Sequence, residues 1–350
     1  MGQLSNRLLE IGNGHLDSIT PGTVQLGIDN GNFLRNYEYF SPMQYGYTLM
    51  GSQLAGVIRY DAHASLRLEG GIYLLSDYGG QAFRKISPIW SVKWKSGAHR
   101  LIMGNLESNV SHRLIEPLLN YESYITQNQE RGLQWKIDHK RIWSDTWINW
   151  ERMQYLQDSM QEVFSAGHSS NTVLLNKNDW QIMMALQGLV THQGGQIDTV
   201  DLPMTTQLNL AVGIEIQKKT DNWLESFFTQ NYYLLSRQII PGAQPLFPEG
   251  NALFLNAGMQ SKGGLGFSLG YWQSEGYTSM RGAYLFRSMA GEYGRMGFST
   301  FERKLLFARV CYQKQLAPGF SIDVRLEPYH DISSHLLEYA YSMFLVYRKN

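Results

Sequence analysis

The chain has 350 residues, with 30 Lys+Arg against 30 Asp+Glu, so its formal net charge is zero and no acidic or basic tail points to a nucleic acid partner. Charged residues make up 17% and aromatics 13%, whereas soluble domains average roughly 25% charged. The single cysteine, Cys311, excludes an internal disulfide and a thiolate metal cluster, and the lack of any apolar run near roughly 18 residues excludes a transmembrane helix.

The N-terminal Met1-Gly2-Gln3-Leu4 lacks a basic region followed by an apolar run, so no leader is visible. An exported barrel needs one, and a mature chain is the expectation under that reading. Residues 1–21 read as an irregular or partly helical segment, and 22–350 as one domain. A first strand is expected at 22–29. Asn30-Gly31-Asn32 and the aromatic run Phe33 to Phe40 then lead into Pro42 as a loop or girdle segment.

From residue 47 a two-residue beat dominates. The expected strands are 47–60, 64–76, 83–95, 98–109, 129–138, 141–153, 162–174 and 179–191, then 205–218, 222–236, 251–260, 264–273, 280–290, 303–314, 319–330 and 336–347. In 205–218, Thr206, Leu208, Leu210, Val212, Ile214 and Ile216 oppose Gln207, Asn209, Glu215 and Gln217. In 83–95, Ile86, Trp90, Val92 and Trp94 oppose Lys85, Ser91, Lys93 and Lys95. Segments 98–109 and 141–153 carry apolar residues on both faces. With the first strand the segments number about 17, and bacterial barrels carry an even number, so either 22–29 or 280–290 is expected to be in excess.

Short links such as Lys95-Ser96-Gly97-Ala98, Asp77 to Gln81 and Asp138 to Arg141 join close antiparallel neighbours. Helical crossovers are missing, which argues against parallel α/β folds. The expected fold is all-β: a transmembrane, antiparallel, up-and-down β-barrel of about 16 strands, within a range of roughly 14–18. A soluble sandwich or propeller is the alternative. Strand length and the absence of a blade repeat favour the barrel.

The least strand-like stretch, 104–122, opens a long inward or surface connection near 109–128. Its Glu107, His112, Arg113, Glu116 and Glu122 are expected either to line a constriction or to brace the connection by ion pairs. Charges on polar strand faces, namely Arg67, Glu69, Lys85, Lys93, Glu130, Lys136, Glu215, Arg325 and Glu327, either tune the lumen or pair across strands. The histidines show no metal spacing, and no cofactor is implied. His330-Asp331 near Ser333 and Ser334, or His168 with Ser165 or Ser169, imitate pieces of a hydrolase triad, though triads assemble in space. Trp143, Trp147, Trp150, Trp223, Phe227, Phe228, Tyr232 and Tyr233 suit either sugar stacking or interfacial girdles. Gly263-Gly264-Leu265-Gly266 lacks the Lys-Ser/Thr of a phosphate loop.

Three stretches carry a resemblance. They are Asn36-Tyr37-Glu38-Tyr39-Phe40-Ser41-Pro42 with Gly46-Tyr47-Thr48-Leu49; Gly104-Asn105-Leu106 with His112-Arg113-Leu114-Ile115-Glu116-Pro117-Leu118; and Asp145-Thr146-Trp147-Ile148-Asn149-Trp150-Glu151. On these the chain resembles an uncharacterised group of outer-membrane barrels from Bacteroidota. The resemblance implies fold and an outer-membrane location in a Gram-negative bacterium, with no settled solute or activity. The terminal Arg348-Lys349-Asn350 departs from the final aromatic of many such barrels.

The leading functional expectation is a porin-like channel for small polar solutes, in contact with outer-membrane lipid and without enzymatic activity. A closed barrel serving as a surface binding or scaffold component is the second expectation. A membrane-embedded hydrolase acting on lipid or a surface polymer is the third.

Overall fold

The computed structural model describes residues 10–12, 16, 19–80, 82–107, 109–199, 201–240 and 246–349. Most of the expected irregular segment 1–21 lies outside the described residues. The wall is a closed barrel in which each strand pairs antiparallel with its sequence neighbours and the last pairs with the first. Its sixteen strands begin with β1 (Val24–Glu38), β2 (Thr48–His63), β3 (Leu66–Asp77) and β4 (Lys85–Ser96). Next come β5 (His99–Asn105), β6 (Arg131–Asp138), β7 (Ile142–Arg152) and β8 (Val163–Lys177). They are followed by β9 (Trp180–Gln193), β10 (Thr205–Lys219), β11 (Leu224–Ile240) and β12 (Glu249–Ser261). The circuit closes through β13 (Leu265–Glu275), β14 (Glu302–Ala317), β15 (Phe320–Asp331) and β16 (Leu336–Lys349).

The alternation sets which side faces lipid. On β4, Ile86, Trp90, Val92 and Trp94 point outward and are exposed, while Ser87, Ser91 and Lys93 point inward and are buried. Among the described residues no second layer covers the apolar outer belt, as lipid contact requires. One end carries tight turns, among them Asn178 and Asp179 with φ of 50° and 64°, the left-handed pair that a two-residue hairpin turn demands. The other end carries the long connections, including 106–130 and 276–301. Short turns mark the periplasmic side of such barrels and long connections the outer side.

Two expectations change. The segment 280–290 is not a strand. It belongs to a connection holding a single 3₁₀ turn, Tyr284–Phe286, and Ala283 and Phe286 are buried inside the barrel. Its buried Phe286 packs on the inward wall rings Phe254, Trp272 and Phe307 rather than on lipid, which the two-residue beat does not distinguish. The run Phe33 to Phe40 is no loop up to Glu38: it forms the outer half of β1, and Phe33 and Tyr37 are buried inside.

Those inward aromatics exist because the lumen is filled. A wall of this size normally encloses water. Here Leu106, Leu114, Ile115, Leu118 and Leu119 from connection 106–130 pack on wall residues Ile102, Trp147, Leu189, Tyr232 and Leu234, and on Tyr277 and Phe286 from connection 276–301. Inward Ile102 and Trp147 explain why 98–109 and 141–153 look apolar on both faces. Backbone bonds join the two connections, from Asn120 N–H to the Arg281 carbonyl (2.7 Å) and from Ala283 N–H to the Glu116 carbonyl (3.1 Å). Ile11 adds a plug residue, buried with Phe33, Ala55, Ile89 and Tyr124, and its carbonyl accepts from Asn128 Nδ2 at 2.9 Å.

The wall is also notched. β5 and β6 have only 7 and 8 residues, against 12 in β4 and 11 in β7. Pairing between β4 and β5 stops at Ser91–Gly104; Trp90 N–H is met by the Asn105 side chain (2.9 Å), and residues 85–89 lie beyond the end of β5. Gly104 causes the stop: its φ is +104°, and a Cβ there would lie 2.3 Å from the Trp90 carbonyl oxygen, so only glycine bends the chain inward at this point.

A filled lumen predicts electrical silence. Folded protein in planar bilayers is expected to give no stable open steps, and regular steps of porin size would contradict the packing described.

Candidate active site

Two chains of buried charge cross the plug and end at one cavity. The first begins at Glu151 on β7, which pairs with Arg281 (2.7 Å). Arg281 reaches Glu130 (3.2 Å), and Glu130 accepts from His112 Nε2 (2.8 Å). His112 Nδ1 reaches Asp145 (3.0 Å), with Lys136 at 3.4 Å from the same carboxylate. Lys136 then pairs with Glu107 (2.9 Å), which faces Arg100 at 3.5 Å. Signs alternate along the whole path, which is what lets so many charges leave water together.

His112 is fully buried and stacked on Trp147, with ring centroids 3.6 Å apart. Burial works to lower its pKa, but Asp145 and Glu130 outweigh burial and raise it to about 9. At neutral pH the ring is therefore an imidazolium with both N–H groups donated. It has no lone pair to accept a proton, so it braces the plug and does not catalyse. Because the folded-state pKa lies above the ordinary 6.5, this stabilisation is complete below pH 6.5 and is lost as pH rises through about 9. Its size is on the order of 3 kcal/mol. Heat resistance of the folded barrel is expected to fall between pH 6.5 and 9 in the wild type, and His112→Ala should flatten that slope. A wild-type profile that is level across this range would refute the assignment.

The second chain runs from Glu116 through Arg309 to Glu327 (3.3 Å) and on to Arg35 (2.6 Å). Arg35 Nε donates to the Tyr37 hydroxyl (2.6 Å), and Tyr37 donates to Glu122 Oε2 (2.7 Å). Tyr47 donates to the same oxygen. Burial, then the Glu122 carboxylate, push the Tyr47 phenol upward, so it stays protonated and a donor. Glu122 Oε1 takes no hydrogen bond from the described residues.

Glu122, Glu151, Arg281 and Arg287 line a cavity of about 420 Å³ between the two inward connections and the outer ends of β7–β9, with Thr191 and Tyr284 beside them. Arg287 donates to the carbonyls of Met280 and Gly282 but meets no carboxylate among the described residues. Burial draws its pKa down to about 10, so it remains a cation. The cavity also holds Glu292 and Arg84; a carboxylate held on one oxygen can take a proton from water, and a guanidinium with no ion pair among the described residues can stabilise an oxyanion.

The other expected site residues lie elsewhere. Arg67 pairs with Asp61 (2.6 Å), and Lys93 pairs with Glu69 (2.8 Å), all inside the wall. Arg325 grips Asp323 through two contacts of 2.8 and 2.5 Å. Glu215 accepts from Tyr232, Gln230 and Asn171 at 2.7–2.9 Å. Arg113 sits 3.9 Å over the Trp143 ring.

The imitated triads do not assemble. His330 and Asp331 lie on opposite faces of β15, and Asp331 accepts from the backbone of Ser333 and Ser334. Ser165 and Ser169 are buried inside the wall while His168 points outward. There His168 contacts Thr146 (2.8 Å) and Ser170 (3.1 Å). Ser170 is the central residue of the 15-residue β8, so His168 and Ser170 form a hydrogen-bonded pair on the outer face of the wall. The aromatic set also divides: Trp143, Trp147, Phe228 and Tyr232 are buried, whereas Trp150, Trp223, Phe227 and Tyr233 are exposed. Arg281 and Arg287 were not legible in the sequence, because they lie within 280–290, the stretch that reads as a strand.

An apolar belt, a filled lumen and a charged cavity at the outer mouth define an outer-membrane barrel with an occupied interior. The sequence profile of the lipid A 3′-O-deacylase-type family matches residues 16–350, and the chain belongs to that family. This corrects the resemblance to an uncharacterised porin-like group, and with it the channel and non-enzyme expectations. No curated protein matches the chain.

Solved structures similar to it include OprD from Pseudomonas aeruginosa (TM-score 0.57, 9% identity, 95% of this chain and 96% of that one). A loop-deletion mutant of OmpT from Vibrio cholerae gives TM-score 0.56 at 9% identity over 94% and 100% of the two chains. The anion-selective porin from Comamonas acidovorans gives 0.52 at 8% over 93% and 99%. At such identity the likeness concerns the fold alone. The protein is an outer-membrane barrel of a Gram-negative bacterium.

Proposed function

We propose that the protein removes an ester-linked acyl chain from lipid A or a closely similar glycolipid of the outer leaflet, by water attack in the outer cavity. Glu122 takes the proton of the attacking water as the water oxygen bonds to the acyl carbonyl carbon. Arg287, assisted by Arg281, holds the oxyanion. Collapse breaks the bond to the sugar oxygen, which recovers the proton from Glu122, leaving a free fatty acid and a sugar hydroxyl. Family membership supports the reaction class, and the observation carrying the site is the Glu122 carboxylate fixed by two phenols in a cavity holding an unpaired guanidinium.

The test is mass spectrometry of lipid A incubated with folded protein in mixed micelles. Loss of one acyl chain, with appearance of the matching fatty acid, is expected. Intact lipid after prolonged incubation with protein shown to be folded would end the proposal.

A further inference from the structure

The notch in the wall gathers positive charge. Lys85, the first residue of β4, points inward and is half-buried. It has no hydrogen bond or ion pair among the described residues, and it is close enough to Arg131 and Arg84 to feel both as like charges. Arg131, the first residue of β6, reaches across the gap that β5 leaves open. It donates to the Ser87 hydroxyl and to the Pro88 carbonyl (2.8 Å). Its Nε is buried with no partner, and no carboxylate pairs with its guanidinium among the described residues. Arg84 stands at the rim of the same gap, pairs with Asp77 (2.8 Å) and also lines the outer cavity.

Like charges left unpaired at one spot raise the energy of the free protein, and a bound anion relieves them. The strand ladder is discontinuous here between β4 and β7 and the Arg131 contact to Pro88 is exposed, so an anion carried by a membrane lipid has a lateral approach to these groups. The floor of the gap, at Asn105 and Arg131, lies below the outer end of β4 by the stretch 85–89, about 17 Å along the strand, and below the outer end of β7 by the two residues past Trp150, about 7 Å. We propose that Lys85 and Arg131, with Arg84 at the rim, form a phosphate subsite in a lateral opening of the barrel, which seats the phosphorylated headgroup of an outer-leaflet glycolipid beside the cavity.

This inference rests on the deacylase reading for its ligand but not for its test, which measures binding without turnover. Full-length folded protein in detergent is titrated calorimetrically with phosphorylated lipid A, with the same lipid dephosphorylated, and with inorganic phosphate. The wild type is expected to prefer the phosphorylated lipid at least about ten-fold, and Lys85→Gln with Arg131→Gln should remove that preference while leaving the dephosphorylated lipid unaffected. Arg131 bonds across the notch, so its loss also removes a contact within the wall. Lys85→Gln alone removes no bond, and must weaken the phosphorylated lipid without altering heat-modifiable migration of the barrel.

Equal wild-type affinity for the two lipids overturns the subsite, as does unchanged binding by the double variant. Competition by inorganic phosphate without lipid discrimination also overturns it, because the site then serves a free anion. Discriminating binding without hydrolysis would uphold the subsite and defeat the proposed reaction. Hydrolysis that is indifferent to both substitutions and to phosphorylation would do the reverse.

Discussion

Glu122→Gln is expected to lower the turnover of ester cleavage by about 100- to 10,000-fold, the usual loss when a positioned general base is removed, with little change in KM. The amide keeps the shape of the side chain and still accepts hydrogen bonds from Tyr37 and Tyr47, so the cavity should persist. What it loses is the capacity to hold the proton of the attacking water. Arg287→Gln should also act mainly on turnover, by about 100- to 1,000-fold, because oxyanion stabilisation is felt in the transition state. A rise in KM alone for either variant would place these groups in binding rather than in chemistry. Full activity in Glu122→Gln would move the reaction to another part of the molecule while leaving the family assignment intact.

The second large effect concerns the brace. Asp145→Asn removes the carboxylate between His112 and Lys136, and two buried cations lose their shared partner. Breaking a buried ionic network from one side costs about 3–5 kcal/mol. The loss should appear as a lower unfolding temperature, together with proteolytic sensitivity of connection 106–130, while the strands stay folded. Adding His112→Gln should restore part of the stability, since it removes one of the stranded charges. If Asp145→Asn proves as stable as wild type, and its connection equally protected, the network does not hold the plug.

Both effects arise where sequence reading was least informative. The wall was legible: the boundaries expected for 205–218, 319–330 and 336–347 fall within two residues of β10, β15 and β16. A lipid-facing strand is solved locally, because every second residue meets the same solvent whatever the rest of the chain does. Glu107, His112, Glu116 and Glu122 were visible as an unusual charged run, but nothing in it says that Glu107 meets Lys136 or that Glu122 meets Tyr47. The filled lumen was hidden for the same reason. Leu114, Leu118 and Phe286 read as apolar whether they pack on a plug or on lipid.

The sequence by itself determined an all-β outer wall, its sidedness and close to its strand number, because alternation and turn chemistry depend on neighbours along the chain. The tertiary structure decided that the lumen is occupied, that His112 is sealed between carboxylates, and that Glu122, Arg281 and Arg287 share a cavity. Those facts depend on separate segments meeting, across 18 and 33 positions for His112 with Glu130 and Asp145 and across 151 for Arg281 with Glu130, and no local pattern encodes which distant partner a buried charge will find.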